Sequence, residues 1–242
     1  NICIKNIPSM ELYSSGSETV QKQLRRLYGE ALTLRAQFFF DLVKIWGDVP
    51  APFEPSIDQP DLFLPQIDRD LIYDRILDDL LLAEELVPWR KDPIMSVDER
   101  MSKGTVKGLR ARIALFRGGY ALRRESGIME RSPDYLEYYQ IARDECFEIM
   151  QHRDQHTLNP SFQSVFKDNI DAYKIEPNGE VMFEVAFGRD LTSGVIGYYD
   201  GPRFNVPGIS STLGNGSVRG VPVYFYAFDS LDTRRDVTLA PY

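Results

Sequence analysis

The sequence has 242 residues, and its 28 basic and 36 acidic side chains give a formal net charge of −8. This length suits one large domain or two small ones with a buried core. An acidic chain without a run of Lys and Arg argues against nucleic acid and anionic membrane surfaces as partners, and no stretch of 18 apolar residues is present to span a bilayer.

The chain begins with NICIKNIPSM, which has no charged segment leading into an apolar one. We therefore do not interpret it as an intact signal peptide. The two cysteines, Cys3 and Cys146, allow at most one disulfide bond and do not identify the compartment.

The first predicted helix covers 17–46. Glu18 follows Ser15 at the spacing of a capping box, which predicts the helix start. Gly47 and the prolines after it predict its end. Its main apolar stripe recurs at three- and four-residue steps: Leu24, Leu27, Tyr28, Ala31, Leu34, Phe38, Leu42 and Ile45. A second stripe is formed by Phe39, Val43 and Trp46. We expect a core helix that is apolar on two sides, with Trp46 and the three adjacent phenylalanines buried.

A loop with five prolines is predicted at 47–68, and a second helix at 69–87 with Asp68 as its cap. The loop carries Asp58 and Asp61, whose oxygens suit Ca²⁺ but lack the spacing of a calcium loop. The apolar stripe predicted for the second helix is Leu71, Ile72, Ile76, Leu80, Ala83 and Val87.

Two further helices are predicted at 103–124 and 133–151, capped by Ser102 and Ser132. We expect them to form an antiparallel pair of the tetratricopeptide type, although a strict 34-residue repeat is absent. The expected inner face of the third helix is Val106, Leu109, Ile113, Phe116 and Tyr120, with Ala111, Ala114, Gly118 and Gly119 allowing close approach. The expected inner face of the fourth is Tyr135, Tyr138, Ala142, Cys146 and Ile149.

The pattern changes after residue 152. NPSFQSVF predicts a short helix, and GEVMFEVAFG alternates as a strand does. Residues 188–222 have the composition of a loop with small strands. Val221, Val223 and Phe225 follow, with a short helix expected through Leu231. The expected fold class is mostly α: tetratricopeptide-like antiparallel helix pairs at 15–152 and a loop-rich part with short β-strands at 153–242, in one incomplete domain.

The order of motifs resembles the SusD/RagB family. GEALTLRAQFFFDLVKIWGDVPAP resembles its signature helix, in which Arg-Ala precedes aromatics and Gly-Asp-Val-Pro. The later segments follow in family order: YDRILDDLLLAEELVP, MSKGTVKGLRARIALFRGGYAL, YYQIARDECFEIMQ, NPSFQSVFKDN with GEVMFEVAF, and LDTRRD. Gly108 departs from the alanine usual in the third of these helices, which weakens that helix slightly.

The resemblance implies a surface-exposed lipoprotein of the outer membrane of Bacteroidetes-type bacteria. Such a protein covers a SusC-like TonB-dependent transporter, captures glycans or in some members peptides, and is neither catalytic nor dependent on a cofactor. Family members are longer, so the leading helices, the lipid anchor and a long C-terminal part are expected outside this sequence. Cys3 follows no apolar leader, so we do not expect it to be the lipidated residue.

Candidate ligand-binding residues are aromatic and polar side chains in predicted loops. Rings stack on the C–H face of a sugar, and polar groups bind its hydroxyls. Trp89 follows a helix stop, and Tyr224 lies in a run that also suits a strand. The main cluster lies in a Gly-rich loop and consists of Tyr198, Tyr199, Asp200, Arg203 and Phe204.

Other chemistry has weaker support. His152 and His156 are spaced like zinc ligands on a helix, but no Glu follows the first and no third His exists, so the alternative is two solvated histidines. Two nearly adjacent histidines also leave few ways to form a catalytic triad, and GxSxG is absent. The acidic pairs of the second helix, 78/79 and 84/85, are predicted to form a solvated surface rather than a glycosidase pair.

A further charged group, Asp229, Asp232, Arg234, Arg235 and Asp236, is predicted to be a structural ion-pair turn. The leading hypothesis is therefore a non-catalytic glycan-binding protein for nutrient uptake. The alternatives are a peptide-capturing member of the same family, a helical-repeat scaffold that binds proteins, and a glycosidase.

Overall fold

Most of the described chain is helical. The residues that the computed structural model describes are 1–95, 99–185, 199 and 220–239. Within them the sheet has two strands, which confirms the mostly α class. Two compact units are formed by Asn1–Leu158 with Pro177–Phe183, and by Asn159–Glu176 with Glu184–Tyr242. The single domain over 1–242 stays a prediction.

The first unit begins with short helical turns and one long helix, α3. These elements are α1 (Ile2–Asn6), a 3-10 turn (Ile7–Ser9), α2 (Glu11–Ser15) and α3 (Glu18–Trp46). Ser17 caps α3, because its hydroxyl accepts a hydrogen bond from the Val20 N–H. The predicted cap at Ser15 is wrong, since that residue ends α2.

The end of α3 is as predicted. Gly47 has φ of +73°, which favours glycine, and its N–H donates to the Val43 carbonyl. The proline-rich loop that follows contains a 3-10 turn at Ser56–Asp58. An antiparallel bridge between Val49 and Ile67 closes this loop and returns the chain to α3.

Three more helices complete the first unit: α4 (Arg69–Leu86), α5 (Lys103–Arg117) and α6 (Tyr135–Gln151). The predicted caps of α4 and α5, Asp68 and Ser102, both accept a backbone hydrogen bond from the first turn. The N-terminal boundary residue of α6 is Asp134, so the predicted cap at Ser132 is wrong.

Neighbouring helices run antiparallel. As the residue number rises along one helix, the residues that it contacts on the next helix have falling numbers. For α3 and α4 the pairs are Arg35–Asp79 and Phe40–Tyr73; for α4 and α5 they are Glu84–Lys107 and Asp74–Arg117; for α5 and α6 they are Lys107–Glu145 and Arg117–Asp134. The predicted antiparallel pair of α5 and α6 is therefore confirmed.

A β-hairpin replaces the end of the predicted third helix. The prediction continued the helix to residue 124, but α5 ends at Arg117. The strands β1 (Ala121–Leu122) and β2 (Met129–Glu130) then pair antiparallel. Gly127 has φ of +70° in the turn between them. An added Cβ at Gly118 would lie 2.9 Å from the Tyr135 carbonyl oxygen, so α5 meets α6 closely there.

The core of the first unit lies on the opposite side of α3 from the predicted main stripe, and it confirms two residues of the predicted second stripe, Phe39 and Val43. Its contributions from α3 are Leu32, Ala36, Phe39, Phe40 and Val43, and those from the later helices include Ile72, Ile76, Leu80, Ala83, Val106, Ile113, Ala114 and Ala142. The predicted stripe residues Leu27, Leu34, Phe38, Leu42 and Ile45 are exposed, and so is Trp46. The prediction counted apolar residues, whereas the buried face also contains Gly29, Thr33, Arg35 and Glu30.

Several inward positions predicted on the other helices are also wrong. Leu71, Phe116 and Tyr120 are exposed. On α6, Cys146 is an exposed free thiol like Cys3, and Glu145 takes a buried position instead. Glu145 is buried because Lys107 and Arg110 of α5 require a carboxylate opposite them.

The second unit contains short helices. A π-helix covers Ser164–Ile170, where a short helix was predicted. The described part of the predicted strand, 180–185, has no regular structure, so no strand is confirmed there, and its remainder lies outside the described residues. The helices α7 (Pro222–Ala227) and α8 (Thr233–Thr238) follow. In α8, Arg234 and Arg235 pair with the carboxylates of Asp232 and Asp236, which confirms the ion-pair turn.

Across the described ranges, no helix combines the length and the apolar content needed to cross a membrane.

Candidate functional site

Three of the seven predicted ligand-binding residues are described, and they are Trp89, Tyr199 and Tyr224. The other four lie outside the described residues and are Tyr198, Asp200, Arg203 and Phe204. Trp89 belongs to the first unit, and Tyr199 and Tyr224 belong to the second. All seven stay predictions.

Trp89 is half-buried and packs on a histidine. Its ring centroid lies 4.1 Å from that of His152, with 33° between the planes. His156 is buried and hydrogen-bonds through Nδ1 to the Gly179 carbonyl at 2.8 Å. The reading of both histidines as solvated is therefore wrong for His156, because the Trp89 segment and the chain near Gly179 pack around it.

The aromatic residues of α7 extend into solvent. Tyr224 is half exposed and makes an edge contact with Phe228 at 5.2 Å between centroids. Tyr226 is more exposed still. The alternation around Tyr224 belongs to a helix rather than a strand, since Pro222 occupies the first turn of α7, where a proline is well tolerated.

A cleft of about 620 Å³ lies beside the β-hairpin in the first unit. One wall is formed by residues of the hairpin and its flanks, from Tyr120 to Pro133. The other wall consists of Asp48, after α3, and of Asp68 and Asp70 at the start of α4. The bridge between Val49 and Ile67 keeps these two parts of the second wall together.

An arginine between two tyrosines stands at the hairpin side of this cleft. The guanidinium carbon of Arg131 lies 5.1 Å from the ring centroid of Tyr120 and 3.5 Å from that of Tyr135. Such cation–π contacts hold a guanidinium in a defined plane. Tyr120 remains 64% exposed.

Most charges at the opposite wall are already paired. Asp70 binds Arg123 at 2.8 Å and Arg117 at 3.4 Å. Asp48 lies 3.4 Å from Arg69 and 3.6 Å from Arg124. These ion pairs tie the hairpin to the end of α3 and the start of α4.

Sequence reasoning missed this cleft because it placed Tyr120 on the inner face of a long helix. The available signals were the adjacent Gly118 and Gly119, which favour a helix end, and the pair Ser126-Gly127, which favours a turn. A helix end followed by a turn predicts a hairpin instead of a longer helix.

A buried ion cluster joins α4, α5 and α6. Lys107 Nζ lies 2.6 Å from Glu84, 2.9 Å from Glu145 and 2.7 Å from Glu148. Arg110 also binds Glu145. The prediction that the acidic residues of α4 are solvated is wrong for Glu84, because Lys107 and Arg110 bring it inside.

Asp79 of α4 is buried as well. Arg35 donates two hydrogen bonds to its carboxylate, both at 2.8 Å. This bidentate pair is a strong, directional contact between α3 and α4. Asp79 therefore helps to hold α3 and α4 together.

Within the ion cluster, three carboxylates face two cations, so one negative charge is in excess. Burial raises the pKa of Glu84 to about 7, above its ordinary 4.5, despite the opposing hydrogen bond from Lys107. Burial disfavours the charge of Lys107, but hydrogen bonds to Glu148, Glu84 and Glu145 outweigh it and raise the Lys107 pKa. The two directions agree: Lys107 keeps its charge, and the excess negative charge of the cluster favours protonation of Glu84.

Metal-ligating residues do not cluster in the part of the chain that the structure describes. Asp58, a candidate calcium ligand, pairs with Lys5 Nζ at 2.9 Å. Asp61 accepts a hydrogen bond from the Phe63 N–H. Both carboxylates thus organise the proline-rich loop.

The comparison with protein families gives one match. A SusD-like model, described as "Starch-binding associating with outer membrane", matches residues 3–115. A SusD superfamily protein from Bacteroides fragilis NCTC 9343 has the same fold over 96% of this chain, with a TM-score of 0.71 and 17% identity. This chain has a SusD-like fold.

Two other solved structures resemble this chain in fold. A SusD homologue from Bacteroides thetaiotaomicron VPI-5482 is 24% identical over 74% of this chain, with a TM-score of 0.59. Surface glycan-binding protein A from Bacteroides uniformis is 16% identical over 97%, with a TM-score of 0.66. At these identities the likeness shows the fold alone. The comparison with curated proteins finds no match.

This chain spans about a third to a half of the length of these solved structures. It covers 31% of the B. thetaiotaomicron chain and 46% of the B. fragilis and B. uniformis chains. The family match includes α1 to α4 and most of α5, whereas the hairpin and α6 follow it along the chain.

Proposed function

We propose that this chain is part of a SusD-like, non-catalytic protein that binds glycans at the surface of the outer membrane. The observation that carries the proposal is the family match over residues 3–115, because that family is described as starch-binding and associated with the outer membrane. The fold shared with the surface glycan-binding protein of B. uniformis supports it. No cofactor is part of the proposed activity.

The proposed binding residues are the predicted aromatic and polar side chains around Tyr199 and Tyr224. Both tyrosines are about half exposed, so their rings have area available for stacking on a sugar. Trp89 is the third described candidate, and its contact with His152 gives its indole a fixed orientation. A rigid aromatic platform loses little entropy when a ligand binds.

Affinity electrophoresis tests the proposal. The chain should be retarded in gels that contain a neutral polysaccharide from a panel of α- and β-glucans. Tyr199→Ala and Tyr224→Ala should each reduce the retardation, because each removes a stacking ring. Phe63→Ala is the matched control, since this aromatic residue is 94% exposed and lies outside the predicted set. Absence of retardation with every glycan and peptide tested would count against the proposal.

Delivery to a SusC-like TonB-dependent transporter, through a protein anchored by lipid outside this sequence, is the finer part of the proposal. Its support is the family resemblance. Co-purification with the transporter encoded beside the gene tests it. A neighbouring transporter that does not associate with the protein would contradict it.

The alternative is a helical scaffold that captures peptides or proteins. The outer face of α3 favours it, because Phe38, Ile45 and Trp46 are 64%, 69% and 72% exposed. In that case Phe38→Ser and Trp46→Ser should abolish transporter co-purification, and Tyr199→Ala should leave any carbohydrate binding unchanged. A glycosidase would instead hydrolyse members of a nitrophenyl glycoside panel, although Asp79 and Glu84 are engaged in ion pairs.

A further inference from the structure

The cleft beside the hairpin has the dimensions of a small-molecule site. Its volume of about 620 Å³ lies inside the range of roughly 300–1,000 Å³ that is typical of ligand pockets. Its walls come from separate parts of the first unit, and the Asp70–Arg123 ion pair joins them. Its shape therefore depends on the fold rather than on one flexible loop.

The cleft contains an aromatic platform. Tyr120 is 64% exposed, and Arg131 lies over its ring. No second ring or cation contacts the Tyr120 ring among the described residues. A tyrosine with an accessible face suits the C–H face of a pyranose.

Hydrogen-bond donors stand beside this platform. Arg131 is clamped between Tyr120 and Tyr135, and no carboxylate lies within ion-pair distance of it in the described ranges. A guanidinium carries five N–H donors in a rigid plane. The clamp orients those donors before any ligand arrives, which lowers the entropy cost of using them.

Acceptors line the same cleft. Glu125 and Glu130 are exposed and belong to its lining, and Glu130 accepts a hydrogen bond from Ser126. Asp68 adds a further carboxylate at the far wall. Donors and acceptors are thus interspersed around one ring.

This composition selects an uncharged ligand. An anion meets repulsion from Asp68, Glu125 and Glu130, and a cation meets it from Arg124 and Arg131. A sugar hydroxyl both donates and accepts hydrogen bonds, so a neutral saccharide can use both kinds of group.

We propose that the hairpin cleft is a second saccharide-binding site, which stacks one neutral pyranose on Tyr120 and binds its hydroxyls through Arg131 and the carboxylates of Glu125 and Glu130. The site is distinct from the predicted residues around Tyr199 and Tyr224. The inference rests on the proposed function for the type of ligand, and on the cleft itself for its position and its preference for neutral sugars.

Calorimetric titration with neutral gluco-oligosaccharides tests this site. We use Tyr120→Ala, Arg131→Met and Tyr120→Phe in the full chain, with Arg143→Met as the matched control because Arg143 is an exposed arginine on α6. Tyr120→Ala and Arg131→Met should each weaken binding by about tenfold, the order expected for one lost stacking ring or one lost oriented donor group. Tyr120→Phe and Arg143→Met should bind within about twofold of the unmodified chain, since stacking needs only the ring. Thermal unfolding confirms that each variant is folded.

The outcomes separate this inference from the proposed function. Binding that is lost in Tyr199→Ala and unchanged in both cleft variants overturns the cleft site and leaves glycan binding intact. Tighter binding of a uronic acid oligomer at the cleft overturns the preference for neutral sugars. If no oligosaccharide binds the chain at all, the proposed function and this inference are both refuted.

Discussion

The inner and outer faces of α3 both depart from the rule that charged side chains are exposed and apolar ones buried. The inner face includes Arg35 and Glu30 beside its phenylalanines, and both charged residues are buried. The outer face presents Phe38, Ile45 and Trp46 to solvent. The difference shows that burial on a helix is decided by which neighbour is available, because an adjacent helix that carries a matching charge makes a polar residue as suitable for the core as an apolar one.

The largest effect is expected from two phenylalanines on opposite faces of α3. Phe40 is 2% exposed and contacts Phe116 at 4.9 Å between ring centroids, whereas Phe38 is 64% exposed. Phe40→Ala should lower the free energy of unfolding by about 3–5 kcal/mol, because it leaves a cavity. Phe38→Ala should change it by less than about 0.5 kcal/mol. Urea denaturation measures both, and equal losses would contradict the assignment of the two faces.

A somewhat smaller effect is expected from the buried charges. Lys107→Met removes the cation that three carboxylates share, and we expect a loss of about 3 kcal/mol in the free energy of unfolding, at the low end for a broken buried pair because Arg110 still binds Glu145. The control is Lys22→Met, because the exposed pair of Lys22 with Glu18 is screened by solvent and should contribute little to stability. If the two substitutions lower the free energy of unfolding equally, the buried ion cluster does not stabilise the helices.

The smallest effect is a pH dependence. The pKa of Glu84 is about 7 in the folded chain against 4.5 ordinarily, so the folded state binds this proton more tightly. The resulting stabilisation is complete below about pH 4.5 and is lost as the pH rises through 7. Glu84→Gln should remove this loss. Between pH 5 and pH 8, the free energy of unfolding of the variant should therefore rise relative to that of the unmodified chain by on the order of 2 kcal/mol.

Glu85→Gln is the control for that measurement, since Glu85 is the exposed neighbour of Glu84 on α4. Denaturation at several pH values should show no such trend for it. A Glu84→Gln profile parallel to that of the unmodified chain would mean that the excess charge of the cluster resides elsewhere.

Local signals predicted the helices and several of their ends well. Gly47 ends α3, and Asp68 and Ser102 cap α4 and α5, because caps and stops depend on the few residues around them. The same kind of signal, the glycines at 118 and 119, marks the true end of α5, but helical spacing of apolar residues outweighed it in the prediction. Because the helix was predicted to continue, the cleft that contains Tyr120 was not predicted.

Short-range patterns were enough to predict the helical class, the order of the motifs and the family that they resemble. Long-range packing sets which face of α3 is buried, which cations pair with Glu84 and Asp79, and how Arg131 comes to lie between Tyr120 and Tyr135. The physical reason is that the cost of burying a charge, or of exposing a ring, depends on the partner that another part of the chain supplies.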